Sequence, residues 1–329
     1  MRVQLPGVSS RQRLARLLTA VCLAAPALGG LAGCGGSASA AELPAVSGAV
    51  GEQASIAIPK GMAPPTKVLS GVLVPGGGAQ LADGDAVVVD YTLMDWTGAK
   101  LIGSTYGTGG APDKTQEFVL GSPSALQSWN EVLPHVTVGS RVEIVTPPSG
   151  AFGTGGASAY GISGNDDLVY VLDVVGGYPG RTDITGTEPV QTDPVLPTVS
   201  GQPGSGAPKI GLPAGVAPPG TLVSKVLVHG SGAALTAGQR LMVQYEGVDW
   251  NTGKVFDSSF ARGQIASFVL GSGSVISGWN TGLAGAHVGD RVLLVLPASA
   301  AYGAKGVPAA GIGGGNTLVF VIDIVDALD

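Results

Sequence analysis

Tyr245, Phe256-Asp257-Ser258-Ser259, Val275-Ile276-Ser277-Gly278-Trp279, Ala301-Tyr302-Gly303 and Leu318-Val319-Phe320 are the residues in this sequence whose types suggest a site. Such a set can wall an apolar pocket and place a carboxylate and a hydroxyl at its rim. Other chemistries lack their parts. His135, His229 and His287 are the only histidines, and no His or Cys pair has metal-site spacing. No Gly-x-Ser-x-Gly elbow and no phosphate loop ending in Gly-Lys-Ser or Gly-Lys-Thr occurs. The cluster Gly311 to Gly315 has no strand-to-helix context and reads as a loop. Hydrolase, kinase and metalloenzyme chemistry are thereby disfavoured, and neither metal nor cofactor is expected.

The elements that must position this set come in two copies. Ile58-Pro59-Lys60-Gly61-Met62-Ala63-Pro64-Pro65 returns 154 residues later as Leu212-Pro213-Ala214-Gly215-Val216-Ala217-Pro218-Pro219. Tyr91 and Asp95-Trp96 match Tyr245 and Asp249-Trp250 at the same offset. Further on, Phe118 to Gly121 matches Phe268 to Gly271, and Trp129-Asn130 matches Trp279-Asn280, at an offset of 150. A four-residue insertion near Tyr106 to Lys114 accounts for the change. Repeats of this length are duplicated domains rather than solenoid units.

Before the copies stands a basic, then apolar, then small-residue leader. Arg2, Arg11, Arg13 and Arg16 precede the apolar run Leu17 to Leu28, which is too short to span a membrane. Residues 1–33 are therefore expected to be a secretory signal. Leu31-Ala32-Gly33-Cys34 closes it and resembles a bacterial lipobox, which implies a lipid on Cys34 and a place on the outer face of the cell membrane. Membrane contact is expected through that anchor only. Four of the 17 Lys and Arg lie in this leader and none of the 23 Asp and Glu, so the remainder is near −10. Such a surface disfavours nucleic acid as a partner. The expected division is a signal (1–33), a flexible spacer (34–52), a first domain (53–178), a Pro/Thr/Gly-rich linker (179–206) and a second domain (207–329).

Within each copy the segments are short, apolar and β-branched: Leu241 to Val248, Arg291 to Leu296 and Thr317 to Val325 in the second. Only Ser277 to Ala284 is expected as helix, and its glycines weaken it, so packing must hold it. The expected class is α+β, each domain an antiparallel β-sheet wrapped over one short α-helix.

At this point a resemblance becomes specific. Gly253-Lys254-Val255-Phe256-Asp257-Ser258-Ser259, Val275-Ile276-x-Gly278-Trp279-x-x-Gly282-Leu283, Ala301-Tyr302-Gly303 and Asn316 to Phe320 resemble, in order, the motifs of FKBP-type peptidyl-prolyl cis-trans isomerases. The resemblance implies that Trp279 is a pocket floor and that Tyr245, Phe256, Val275, Ile276 and Phe320 are walls. It implies that Tyr302 and the Ile276 backbone N–H donate to substrate carbonyls, and that Asp257 sits at the edge near Tyr245 and Arg262. It also implies that Ile312 contributes from the loop Val307 to Gly315. Taken singly, each aromatic reads as core packing; the set together at family spacing does not.

Proline-containing exported polypeptides are the implied substrates, and macrolides such as rapamycin are implied ligands. Ile265-Ala266 stands where the family often has another aromatic wall. The first copy departs further: Ile102 and Gly103 replace Phe256 and Asp257, Ala125 replaces Val275, and Phe152 replaces Tyr302. It is expected to fold with little or no turnover. The alternative to an enzyme is a non-catalytic peptide-binding chaperone or scaffold built from both copies.

Overall fold

The computed structural model describes residues 43–107, 115–186 and 193–329. The leader, Cys34 and most of the insertion lie outside these residues. The described residues of both copies fall in one compact unit.

The first copy runs β1 (Ala45–Ser47), β2 (Ser55–Ala57), β3 (Leu69–Val74), β4 (Ala86–Asp95), β5 (Lys100–Ser104), β6 (Gln116–Val119), α1 (Gln127–Val132), β7 (Arg141–Thr146) and β8 (Leu168–Tyr178). The second runs β9 (Thr198–Ser200), β10 (Lys209–Gly211), β11 (Val223–Val228), β12 (Arg240–Asp249), β13 (Val255–Ser258), α2 (Ser259–Arg262), β14 (Ala266–Val269), α3 (Ser277–Gly282), β15 (Arg291–Leu296) and β16 (Leu318–Leu328). Each copy folds into a six-stranded sheet: β3-β7-β8-β4-β5 with β6 also on β4, and β11-β15-β16-β12-β13 with β14 also on β12. Every pairing is antiparallel. The expected α+β class and single short core helix hold in both; α2 is a four-residue turn with no counterpart among the described residues of the first copy.

Both faces of each sheet are covered. The concave face carries the main core: Leu241, Val243, Tyr245, Leu294, Phe320 and Ile322 pack on Trp279 of α3, as Val87, Val89, Ile144 and Tyr170 do on Trp129 of α1. The opposite face buries Leu293, Val295, Val319, Val321 and Trp250 beneath Val199 and Ile210 of the small hairpin β9–β10. Hairpin β1–β2 covers Val145, Val169, Val171 and Trp96 in the same way. Double burial explains why Arg291 to Leu296 reads as a continuous run instead of an alternation.

Strand β1 lies within the expected spacer (34–52) and pairs with β2, and β9 lies within the expected linker (179–206) and pairs with β10. A buried ion pair locks each hairpin turn. Arg141 meets Asp173 at 2.6 Å, donates to Gly48 O at 2.9 Å and Glu52 O at 2.7 Å, and Gly51 N–H donates to Asp173 at 2.7 Å. Arg291 meets Asp323 at 2.6 Å and donates to Gly201 O at 2.6 Å. In the first copy the Tyr106 hydroxyl, at the edge of the insertion, also donates to Asp173.

One residue in the first copy's cover is out of character. Glu143, where the second copy has Leu293, is fully buried with neither carboxylate oxygen hydrogen-bonded. Burial pushes its carboxyl up to about 7 from 4.5. The unfolded chain releases this proton near 4.5 while the folded chain holds it to about 7, so stability falls as pH rises through that window. Glu143→Leu should abolish this slope and raise the stability of the first copy above pH 7 by on the order of 3 kcal/mol. Denaturant midpoints of both proteins across that pH range check it.

Candidate functional site

The pocket opens where α3 leaves the concave face of the second sheet. Glycine makes the close packing there possible: a Cβ on Gly278 would stand 2.7 Å from the Leu296 side chain and 2.8 Å from Ala300 O. The helix can therefore sit low on β15 and turn the Trp279 indole into the sheet. Trp279 is 5% exposed. Its ring meets Tyr245, Phe268 and Phe320 edge-on, each centroid 5.2 Å away. Phe256 of β13 stacks edge-on against Phe320 at 5.5 Å. Edge-to-face pairs fix ring orientation as well as burying area, so the floor and two walls are set by mutual contact. Gly247 of β12 leaves the room: a Cβ there would come within 2.8 Å of the Phe256 ring.

The resulting cavity has a volume of about 450 Å³. Tyr245, Phe256, Asp257, Val275, Ile276, Trp279, Tyr302 and Phe320 line it, as the sequence suggests. Ala266, at the expected wall position, lines it as well, and so do Ser267, Phe268 and Ser274, which were not foreseen. Phe268 had a signal, since it recurs in the repeat as Phe118; Ser267 had none. Ile276 is the N-cap of α3, with extended backbone at φ −57° and ψ 144°, so its own N–H lies ahead of the helix.

Two expected members stand elsewhere. Ile312 is 2% exposed and packs in the core under its loop, where it pairs across to Val307; its side chain is spent on holding that loop. Arg262 is absent from the pocket wall. It sits in α2, behind the rim, and organises the polar edge instead.

That edge is a three-residue network. Tyr245 donates its hydroxyl to Asp257, Arg262 donates to the other Asp257 oxygen, and Arg262 Nη2 donates to the Tyr245 hydroxyl at 3.0 Å. The guanidinium also lies 5.7 Å from the Tyr245 ring centroid. Burial tends to raise the Asp257 carboxyl, but the hydrogen bonds from Tyr245 and Arg262 prevail and hold it below its ordinary value. Burial, with Asp257 alongside, pushes the Tyr245 hydroxyl up to about 12. Around neutral pH the rim thus carries a fixed carboxylate and an un-ionised phenol. Tyr302 is 40% exposed, its hydroxyl also raised by burial and by Asp257, and it faces the opening as a neutral donor.

The equivalent hollow in the first copy is smaller, about 220 Å³. Trp129 keeps the floor, with Tyr170 edge-on at 5.3 Å and Phe118 tilted at 4.9 Å. Ile102 and Gly103 line it where the second copy has Phe256 and Asp257, and Phe152 lines it in place of Tyr302. Among the described residues, none of those lining it carries a carboxylate. Among the described residues, no group of three or more His, Cys, Asp or Glu is gathered for a metal, and no helix is long and apolar enough to cross a membrane.

Residues 77–175 and 232–325 each match the FKBP-type peptidyl-prolyl cis-trans isomerase family. The chain is similar to the FK506-binding protein of Streptomyces anulatus, 44% identical over 118 residues that make up 36% of this chain and 94% of that one. The probable FK506-binding protein of Corynebacterium glutamicum is 43% identical over 122 residues, 36% of this chain and 98% of that protein. Among solved structures, FkpA from Escherichia coli aligns over 32% of this chain and 48% of its own, at 39% identity and a TM-score of 0.30.

Proposed function

Because the chain belongs to the FKBP-type peptidyl-prolyl cis-trans isomerase family, we propose that its catalysis lies in the second copy and acts on proline-containing polypeptides outside the cytoplasm. One observation carries the choice of copy: the Tyr245–Asp257–Arg262 network stands at the rim of the larger aromatic pocket, and Gly103 stands where the first copy would need its carboxylate.

The physical task is modest. An X-Pro bond turns slowly because rotation breaks amide resonance, a barrier of about 18–20 kcal/mol. At the twisted transition state the carbonyl loses the charge separation that resonance gave it. A dry pocket walled by Trp279, Phe256, Tyr245 and Phe320 therefore disfavours the twisted amide less than the planar one. Donors at Tyr302 and the Ile276 N–H hold flanking carbonyls while the bond turns. Asp257 fixes Tyr245 and so the shape of the wall. No nucleophile takes part.

Asp257→Val and Tyr302→Phe should each lower kcat/KM on an X-Pro peptide by about tenfold, the first by releasing Tyr245 and Arg262 from their shared carboxylate and the second by removing one hydrogen bond to substrate. Unchanged turnover in both would remove the rim from the mechanism. A second reading attaches to the first copy, whose aromatic hollow persists without the polar rim: it holds peptide without turning it over.

The site on the outer face of the membrane rests on the leader and on Cys34. Wild-type protein expressed in cells should partition into detergent and Cys34→Ala into the aqueous phase, because several acyl chains anchor stably where one is marginal. Equal partition of the two would end the lipid assignment.

A further inference from the structure

The two copies touch through the covered faces of their sheets, at equivalent ends. Val88 and Met242, 154 residues apart in the repeat, are both fully buried there, with Ala86, Tyr178 and Ile265. The Tyr178 hydroxyl donates to Asp326 at 2.7 Å. Arg240 Nη1 donates to Glu117 Oε2 at 3.0 Å, and Arg240 Nε to the Thr115 hydroxyl at 3.2 Å. The Ser267 hydroxyl donates to the same Glu117 oxygen.

Ser267 is a pocket residue, and so are its neighbours Ala266 and Phe268. All three lie on β14, a four-residue strand paired to β12 alone. A strand this short with one partner has little of its own to hold it. Immediately before it, Ile265 is buried in the contact with the first copy. Before that, the chain after β8 crosses the second sheet: Gln244 donates to Gly180 O at 3.1 Å and accepts from Thr182 N–H at 3.2 Å. Gly180 lies so close that a Cβ on it would stand 1.8 Å from Gly263 O. Gly263 is the C-cap of α2, the turn that carries Arg262 to the rim.

We propose that the first copy braces the ligand wall of the second, with Glu117 and the backbone at Gly180 as positioning elements for residues 263–268. The inference rests on the reading of the second copy as the catalytic one. It gives the first copy a role that does not require turnover, and it accounts for Ile265. That side chain faces the neighbouring copy rather than a ligand, and anchors the wall from behind.

The test uses the full chain, with Glu117→Ala and, separately, Gly180→Ala. Hydrogen exchange over residues 263–269 reads the wall directly, and steady-state kinetics on an X-Pro peptide separates KM from kcat. Each variant should exchange this segment about tenfold faster and raise KM about three- to tenfold with kcat little changed, Glu117→Ala by losing a charge-assisted hydrogen bond and Gly180→Ala by driving a Cβ against Gly263 O. Glu117→Gln, which keeps an acceptor for Ser267, should recover most of the protection. Glu131→Ala, on the exposed side of α1 in the first copy, should change neither quantity. Wild-type exchange in both variants, or faster exchange with unaltered KM, would overturn the brace. Faster exchange in a protein whose wild type turns over no peptide would keep the brace and sink the catalytic reading.

Discussion

Arg291→Ala should cost the second domain about 3–5 kcal/mol, because it leaves the Asp323 carboxylate buried without its partner. Both side chains are almost fully enclosed, at 3% and 2% exposure. Burial already holds the Asp323 carboxyl above its ordinary value, even against the pull of Arg291. With the guanidinium gone it rises further, so the folded domain keeps its proton to higher pH than the unfolded chain does. Stability of the variant must therefore fall as pH rises through that widened interval, and the penalty relative to wild type should be smallest in acid. The Gly201 carbonyl also loses its donor, which loosens the turn that seats β9. The double variant Arg291→Met, Asp323→Leu separates these effects. The surrounding face is apolar, with Leu293, Val295 and Val321 alongside, so filling the site with hydrocarbon should recover much of the loss. Urea midpoints at several pH values give all three quantities. A pH-independent loss under 1 kcal/mol would show that the pair is not the lock described.

Trp279→Ala should be as costly and should also abolish turnover. Its ring touches three other aromatic rings at 5.2 Å, so truncation removes a floor and frees two walls. Large-to-small changes of this kind cost about 3–5 kcal/mol. Trp279→Leu is the informative companion. It keeps apolar volume on α3 and should restore about half of the stability, yet it cannot offer the flat ring on which the pocket is built. Thermal unfolding and peptide turnover measured together should thus diverge: stability partly recovered, activity not. Parallel recovery of both would mean that Trp279 serves the core alone.

The pocket was legible through the family resemblance that its runs carry, Phe256-Asp257, Val275-Ile276 and Trp279, since taken singly each of these residues reads as core packing. The sheet was legible as β-branched runs. The hairpin covers were not. Strands β1, β2, β9 and β10 have three residues each, with one inward apolar side chain apiece, Val46, Ile56, Val199 and Ile210, set among Gly, Ser, Thr and Pro. No periodicity can be read from three residues. The one usable signal was the repeat itself, since Arg141 and Arg291, and Asp173 and Asp323, both recur at 150 residues; a charged pair kept in two buried strands needs something over it. The contact between copies was illegible for a different reason. Alternation in β4 and β12 tells that Val88 and Met242 face away from the main core, but not whether that face meets water, a hairpin or another domain. Ile312 was misplaced because a loop residue's direction depends on the turn that carries it, here the Val307–Ile312 bridge.

The central claim, that turnover belongs to the second pocket, is tested most directly by obstructing each pocket in turn within the full chain. Leu126 and Ile276 hold the same place 150 residues apart, each the N-cap of its helix and each lining its own cavity. Ile276→Glu and Leu126→Glu put a carboxylate into an apolar hollow at equal depth with little strain on the core. The measurement is kcat/KM on one X-Pro peptide, with circular dichroism confirming that each variant is folded. Ile276→Glu should lower it by about a hundredfold, equivalent to about 2.7 kcal/mol of lost transition-state stabilisation, and Leu126→Glu by less than about twofold. Equal losses in the two variants, or a loss confined to Leu126→Glu, would contradict the account.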